Sequence, residues 1–147
     1  MNNAGFGIHT SINETTEEQF DRLMNVQFKG VFILTQKLFP MIANNGRIIN
    51  TSTGLTRFVI EGFGVYAAMK GAIETLTKYM TKEWGTRGIR VNLVAPGAIT
   101  TDFGGGTVRD NPQMNKSVAA NTALGGFGEA DLSEELSRPC TRKKWAG

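Results

Sequence analysis

Two apolar stretches determine the fold of this chain: RIINT at 47–51 and IRVNLV at 89–94. Both are short and rich in β-branched residues, so each is predicted to be a strand. Between them, from Val65 to Met80, apolar residues recur at helical spacing, and Gly85 and Gly88 predict the end of that helix. A strand, a helical crossover and a second strand form a βαβ unit, which predicts parallel pairing and a right-handed crossover.

A second helix is predicted before the first strand. It begins at a capping box, formed either by Thr15 with Glu18 or by Thr16 with Gln19. Within it, Gly30 is a poor helix former and indicates close packing. Its apolar residues recur at helical spacing, and they are Phe20, Leu23, Met24, Val31, Leu34 and Leu38.

Composition argues against several classes of protein. The chain has 147 residues, 40% hydrophobic and 20% charged, which is typical of one soluble globular domain. Its net charge of +3 comes without a basic stripe, so no nucleic-acid partner is expected. No apolar run is long enough to span a membrane, and the single Cys140 fits a reducing cytosol, so a cytoplasmic location is expected. His9 lies in a polar stretch without partner ligands, and we expect no metal site.

The crossover helix carries a tyrosine and a lysine four residues apart, Tyr66 and Lys70, in the stretch YAAMK. This spacing puts both side chains on one helix face. A phenol has a pKa of about 10, and a nearby ammonium lowers that pKa by favouring the phenolate. Such a tyrosine can give a proton to a carbonyl oxygen or take one from an alcohol. Because the pattern is common in helices, a surface pair is the alternative interpretation.

Two polar segments flank this helix in sequence. Ser52 and Thr53 follow the first strand, and ligands of open α/β sheets usually bind at that end of a strand. The alternative for these hydroxyls is a turn that bonds its own backbone. At residues 2–5, NNAG combines asparagine with small residues that let a ligand approach the backbone, although an ordinary disordered N-terminus is the alternative.

Taken in order and spacing, these motifs resemble those of classical members of the short-chain dehydrogenase/reductase family. The resemblance runs from Asn2 to about residue 130, and within the family the chain is similar to 3-oxoacyl-carrier-protein reductase and glucose 1-dehydrogenase. The matching pieces are NNAG at 2–5, Asn25 in the first long helix, the pair Ser52 and Thr53, Tyr66 with Lys70, and Pro96-Gly97 with Thr101.

The resemblance implies an NAD(P)H-dependent oxidoreductase that transfers a hydride between the cofactor and a small-molecule carbonyl or alcohol. Tyr66 would be the general acid/base, and Lys70 would lower its pKa and hold the nicotinamide ribose. The serine of the family corresponds to Thr53, and Ser52 is left open as the alternative hydroxyl donor. Asn25 would hold a water in a proton relay to Lys70.

The resemblance also implies a set of cofactor contacts. Asn3 would line the adenosine side of the cofactor, while Ile99 and Thr101 would meet the nicotinamide carboxamide. The loop after Thr101 would be a substrate lid. The full set of implied contacts is Asn3, Ala4, Gly5, Tyr66, Lys70, Pro96, Gly97, Ile99 and Thr101.

The chain departs from the family at both ends. The family begins with a strand, a glycine-rich turn and a helix that bind the pyrophosphate, and no G-x-x-x-G-x-G precedes Asn2. We therefore predict an α/β fold, a partial Rossmann-like, doubly wound parallel sheet that lacks its first strands and its last strand. It would form a single partial domain over 1–147, with an irregular tail at about 131–147. With only two strands, both outer edges of the sheet are expected to be unpaired.

Three functions compete on this sequence. The first is the NAD(P)-dependent oxidoreductase, of which this chain would be a fragment. The second is a non-catalytic remnant that associates through its two long helices, which in the family make the main dimer contact; a homo-oligomer, dimer or tetramer, is accordingly expected of the full-length form. The third, a basic nucleic-acid binder, rests on the charge alone, and the scattered basic residues argue against it.

Overall fold

A computed structural model of the chain describes residues 1–123 and 125–128. The structure divides into two compact units, Met1–Ala95 and Pro96–Gly147. The tail predicted at about 131–147 lies outside the described residues. None of the helices in the described part is long and apolar enough to cross a bilayer.

The first helix, α1, spans Glu17–Met24 and begins at a complete capping box. The Thr16 hydroxyl accepts from the Gln19 backbone N–H, and the Gln19 side chain accepts from the Thr16 N–H. This satisfies N–H groups that a helix start otherwise leaves without partners. Of the two predicted boxes, the structure therefore contains the second.

A π-helical turn at Asn25–Lys29 joins α1 to α2, which spans Gly30–Leu38. In this wider turn the Gly30 N–H donates to the Asn25 carbonyl, five residues back. An ideal Cβ at Gly30 would lie only 2.9 Å from that carbonyl oxygen. The close packing predicted at this glycine is therefore packing against its own helix backbone.

The predicted βαβ unit forms the centre of the first unit. β1, Arg47–Thr51, and β2, Arg90–Val94, pair in parallel, with Asn50 opposite Leu93. The crossover contains α3, Gly64–Trp84. These elements confirm the α/β class and the parallel sheet. Short 3₁₀ turns of the first unit lie at Ile12–Glu14, Phe39–Met41, Gly54–Thr56 and Gly85–Arg87.

Buried apolar side chains of the first unit form two clusters. The first lies where the C-terminal half of α3 packs on the sheet, and it contains Ile48, Met80, Ile89 and Val91. The second lies where the N-terminal half of α3 packs on α1, and it contains Leu23, Tyr66 and Met69. Packing at both ends of α3 fixes the helix that carries Tyr66 and Lys70.

A chain of polar side chains crosses β1. The fully buried Asn50 donates through Nδ2 to Thr77 Oγ1 of α3 (2.9 Å) and accepts at Oδ1 from Asn2 Nδ2 (2.8 Å). Asn2 Nδ2 also donates to Thr35 Oγ1 of α2 (3.1 Å). The backbone of Asn2 pairs in parallel with β1, and its N–H donates to the Ile49 carbonyl (2.8 Å). The prediction of an unpaired edge is therefore wrong at this position, because Asn2 occupies the next strand position beside β1.

The described part of the second unit contains two short helices and a bridge between Ile99 and Gly128. α4 spans Thr107–Asp110 and α5 spans Pro112–Ala120. Before α4, Gly104 and Gly105 adopt left-handed backbone conformations with φ of 63° and 73°, which favour glycine.

Candidate active site

Thr53 and Tyr66 meet at the carboxyl end of β1. Thr53 is the second residue after the strand, and its hydroxyl oxygen accepts from the Leu55 N–H (3.4 Å). Its side chain also forms a hydrogen bond with Tyr66, which lies in the first turn of α3. Tyr66 is only 6% exposed and packs against Leu23 and Met69. The structure thus brings together two hydroxyls, from the two residues predicted for substrate contact and proton transfer.

Lys70 lies one turn further along α3 and is equally buried, at 6% exposure. Its Nζ donates to the Thr51 carbonyl (2.9 Å) and lies 5.8 Å from the centroid of the Tyr66 ring. Since an ammonium carries three donors, this bond leaves donors for a ligand. Burial, which disfavours the charged form, lowers the pKa of Lys70 to about 8.

The pKa of Tyr66 is raised above its ordinary value, mainly because burial disfavours the phenolate. The hydrogen bond with Thr53 acts in the opposite direction, since it stabilises the phenolate. The expected lowering of the Tyr66 pKa is therefore wrong for the chain by itself, because desolvation outweighs the hydrogen bond with Thr53. At neutral pH the phenol keeps its proton, the state that can protonate a carbonyl oxygen.

Ser52, the alternative hydroxyl donor, bonds to residues that lie further along α3 than Tyr66. It is buried, and its Oγ donates to Glu74 Oε1 of α3 (2.7 Å). Successive side chains of an extended chain point to opposite sides, so only one of the two hydroxyls can face Tyr66. The structure places Thr53 there.

Asn25 and Gln27 share the π-helical turn but differ in burial. Asn25, the predicted water-holding residue, is exposed. Gln27 is fully buried, its Nε2 donates to the Phe6 carbonyl, and its Oε1 has no hydrogen-bond partner among the described residues. Sequence reasoning missed Gln27, although it lies four residues after the buried Leu23, on the face that packs inward. A polar group at such a position needs a partner.

The segment Asn3–Gly5 leaves the sheet next to Thr51. Asn3 Oδ1 accepts from Thr51 Oγ1 (3.0 Å), which ties the segment to the carboxyl end of β1. Ala4 is exposed. An ideal Cβ at Gly5 would lie 3.1 Å from Gln27 Oε1, so a glycine there permits close approach to the helix turn. The predicted role of these residues in cofactor binding stays a prediction.

The remaining predicted cofactor contacts, Pro96, Gly97, Ile99 and Thr101, belong to the second unit. Ile99 pairs in parallel with Gly128. Thr101 Oγ1 accepts from the Phe103 N–H (3.2 Å), which closes the turn before the glycines. Their contact with a cofactor likewise stays a prediction.

Comparison with known proteins finds similar sequences over most of the chain. Residues 1–136 match the family described as enoyl-(acyl carrier protein) reductase. The NADPH-dependent aldehyde reductase-like protein, chloroplastic, of Arabidopsis thaliana is 37% identical over 126 residues, which cover 83% of this chain and 45% of that protein. The 3-oxoacyl-[acyl-carrier-protein] reductase of Thermotoga maritima is 35% identical over 133 residues, which cover 89% of this chain and 53% of that protein.

Solved structures show the same likeness. A gluconate 5-dehydrogenase from Burkholderia cenocepacia J2315, in complex with NADP and tartrate, matches with a TM-score of 0.89 at 30% identity. The match covers 95% of this chain and 55% of that one. The chain therefore spans about half the length of the relatives that it matches.

Proposed function

The chain belongs to the short-chain dehydrogenase/reductase family, and on that premise we propose that it forms the catalytic part of an NAD(P)H-dependent oxidoreductase. The reaction interconverts a small-molecule carbonyl and an alcohol. The observation that carries the proposal is the contact between the Thr53 and Tyr66 side chains beside the buried ammonium of Lys70. Two hydroxyls that converge at a sheet edge are suited to hold one carbonyl oxygen.

In the proposed reduction, the substrate carbonyl oxygen lies against both hydroxyls. Thr53 accepts from Leu55 through its oxygen, and its hydrogen, which donates to the Tyr66 oxygen in the chain alone, would turn to the substrate oxygen. When bound, the nicotinamide supplies the hydride that reduces the carbonyl carbon. Tyr66 gives its phenolic proton to the oxygen, which completes the alcohol. The Lys70 ammonium stabilises the phenolate that Tyr66 becomes.

The protonation states favour reduction near neutral pH. Because burial raises the pKa of Tyr66, the phenol is the dominant state there. With a pKa of about 8, Lys70 is mostly charged at the same pH. The reverse reaction needs the phenolate as a base, so it should gain from higher pH until Lys70 loses its proton.

The described residues fit the nicotinamide end of the cofactor. Lys70 keeps donors that suit ribose hydroxyls, and Tyr66 lies one turn away on the same helix. The 147 residues contain no G-x-x-x-G-x-G turn of the kind that binds a pyrophosphate at a helix N-terminus. We propose that the chain's own share of cofactor binding is confined to the nicotinamide and ribose, with Asn3–Gly5 toward the adenosine side.

We further propose the setting in which this chemistry takes place. Both compact units would belong to one partial catalytic domain over 1–147, and the full-length form would be a homo-oligomer. The compartment would be the cytoplasm, where a protein with the single Cys140 needs no disulfide.

A second candidate function rests on the surface of α2. Four large apolar side chains of this helix are between 37% and 53% exposed, and they are Phe32, Ile33, Leu34 and Leu38. Contiguous exposed apolar residues mark interaction surfaces. We therefore keep association without catalysis as the alternative to the oxidoreductase.

The proposed activity is tested in a chimera in which the N-terminal half of the Thermotoga maritima reductase precedes Met1. We expect the chimera to oxidise NADPH in the presence of some member of a panel of aldehydes, ketones and 3-oxoacyl thioesters. Tyr66→Phe should reduce turnover by about 10²-fold or more, the usual scale for loss of a general acid. The control is Tyr79→Phe, since Tyr79 is exposed on the same helix.

Two outcomes separate the candidates. A folded chimera that binds NADPH but reduces no carbonyl faster than its Tyr66→Phe variant would contradict the oxidoreductase. If that inactive protein still self-associates, and Leu34→Glu in α2 abolishes the association, the alternative is favoured.

A further inference from the structure

We propose that Glu74 is a positioning residue whose carboxylate holds the turn after β1 so that the Thr53 hydroxyl meets Tyr66. The proposal deepens the proposed function and rests on it for the meaning of that contact. The described hydrogen bonds of Glu74 go to neither Thr53 nor Tyr66. It acts through Ser52 and Thr56, the residues that flank Thr53.

The carboxylate of Glu74 gathers two hydroxyls on one oxygen. Ser52 Oγ and Thr56 Oγ1 each lie 2.7 Å from Glu74 Oε1. Thr56 Oγ1 also lies 3.0 Å from the Thr53 carbonyl oxygen. The backbone on both sides of Thr53 is therefore tied to one acidic side chain.

Glu74, Ser52 and Thr56 form a hydrogen-bonded clamp around Thr53. The Ser52 arm of this clamp is anchored in the sheet. Ser52 is buried, and its N–H donates to the Val94 carbonyl at the end of β2 (2.7 Å). The other arm, Thr56, lies in the single 3₁₀ turn Gly54–Thr56, which has little internal structure of its own. Two contacts hold this turn to α3: Leu55 packs against the cluster of Leu23, Tyr66 and Met69, and Thr56 bonds to Glu74.

The helix α3 carries both Glu74, which holds the clamp, and Tyr66, the proposed proton donor. Tyr66, Lys70 and Glu74 lie at i, i+4 and i+8 of α3, so all three share one face. Since Glu74 and Tyr66 belong to one helix, a turn that Glu74 holds keeps Thr53 in a fixed position relative to Tyr66. A hydroxyl held in this way loses no further conformational entropy when a substrate oxygen binds.

The charge of Glu74 strengthens the clamp. Hydrogen bonds from Ser52 and, next, Thr56 hold the pKa of this carboxyl below its usual value, against a smaller opposing effect of burial. Arg57 and Lys78 act in the same direction as the hydroxyls. An ionised acceptor forms stronger hydrogen bonds than a neutral one.

The titration of Tyr66 measures the Thr53 contact without cofactor or substrate. The chain has two tyrosines, so Tyr79→Phe leaves Tyr66 as the only phenol that these 147 residues supply. Its pKa is measured in the chimera, as the difference in tyrosinate absorbance between the Tyr79→Phe protein and the same protein with Tyr66→Phe added. Because the Thr53 hydrogen bond lowers the pKa of Tyr66, Thr53→Val should raise it.

Glu74→Ala should raise the pKa of Tyr66 by at least half of the shift that Thr53→Val causes. In the Thr53→Val background, Glu74→Ala should add nothing. Glu74→Gln keeps an acceptor oxygen and should restore much of the parent value. The matched control is Glu83→Ala, an exposed acidic residue of the same helix, which should leave the titration unchanged.

A second measurement guards against variants that unfold at alkaline pH. In the chimera at neutral pH, Glu74→Ala should lower kcat about 5-fold or more in the parent and less than 2-fold in the Thr53→Ala background. The proposal is overturned if Glu74→Ala leaves the pKa of Tyr66 at the parent value, or if its effect on kcat is the same in both backgrounds. An inactive chimera would contradict the proposed function, but the titration would still decide the role of Glu74.

Discussion

The hydroxyl of Thr53 should be the one that the substrate oxygen meets. We expect Thr53→Ala in the chimera to lower kcat, since it removes a donor at the reacting oxygen. Thr53→Ser should keep or raise kcat, because the hydroxyl remains and the methyl group is lost. Steady-state rates of the two variants check this, and an unchanged rate for Thr53→Ala would point to Ser52 or to no hydroxyl at all.

Lys70 should titrate far below an ordinary lysine. Burial disfavours its charged form, so its pKa falls from 10.5 to about 8. Below that pH the ammonium is present, and above it the neutral amine dominates. The titration is followed in chimera carrying lysine with ¹³C at Cε, and Lys70→Met identifies the signal. A midpoint near that of the exposed lysines would show that Lys70 is not buried as described.

Sequence reasoning named Thr53, Tyr66 and Lys70, because their spacing matches a helix face and a strand end. It did not find Gln27 or Glu74, for a physical reason. A buried amide and a clamping carboxylate act through contacts made 18 to 22 residues away in sequence, such as Ser52 with Glu74, and no local pattern encodes them. It also misjudged the pKa of Tyr66, since burial is a property of the packed structure.

The π-helical turn should make Gly30 intolerant of a side chain. Gly30→Ala normally favours a helix, but here the added Cβ would lie 2.9 Å from the Asn25 carbonyl oxygen. We expect it to lower the free energy of unfolding by about 1–3 kcal/mol. Denaturant unfolding of the chimera measures the change.

Gly71 provides the matched control within α3. An added Cβ at Gly71 meets nothing within 4 Å, so Gly71→Ala should stabilise by up to about 1 kcal/mol. If Gly30→Ala stabilised the chimera by a similar amount, the π-helical turn would be wrong.

The secondary structure elements were the most predictable level of this structure. Helical periodicity predicted α1, α2 and α3, and short β-branched runs predicted β1 and β2. The wide turn at Asn25–Lys29 was not predicted, because its apolar positions still fit an ordinary helix within one residue. Gly30 predicted close packing at this turn, but the sequence did not show that the packing partner is the Asn25 carbonyl of the same helix.

The purified 147-residue chain should not behave as an independent enzyme. Its sheet has two described strands and one bridge at Asn2, and sheets this small are at best marginally stable. Large apolar side chains are exposed, with Val59 at 95% and Met41 at 80%. The pyrophosphate of the cofactor lacks the glycine-rich turn on which it normally rests.

We therefore expect no measurable NAD(P)H binding and no cooperative melting of a monomer. A cofactor fluorescence titration and a thermal melt with light scattering measure the two properties. Saturable NADPH binding by a monodisperse, cooperatively melting monomer would contradict this expectation.

The polar chain through Asn2, Asn50, Thr35 and Thr77 has a consequence for how the sheet is assembled. A slip of one residue between the N-terminal segment and β1 would turn the Asn2 amide to the face opposite Asn50. The Thr35 hydroxyl and the Asn50 side-chain oxygen would then both lose the Asn2 amide as their partner, which costs more than the bonds contribute when correctly made. Hydrophobic side chains tolerate such slips better, since Ile48 and Ile49 can exchange faces with little chemical conflict. The hydrogen bonds of Asn2 and Asn50 thus favour one strand register over slipped registers that apolar packing alone would tolerate.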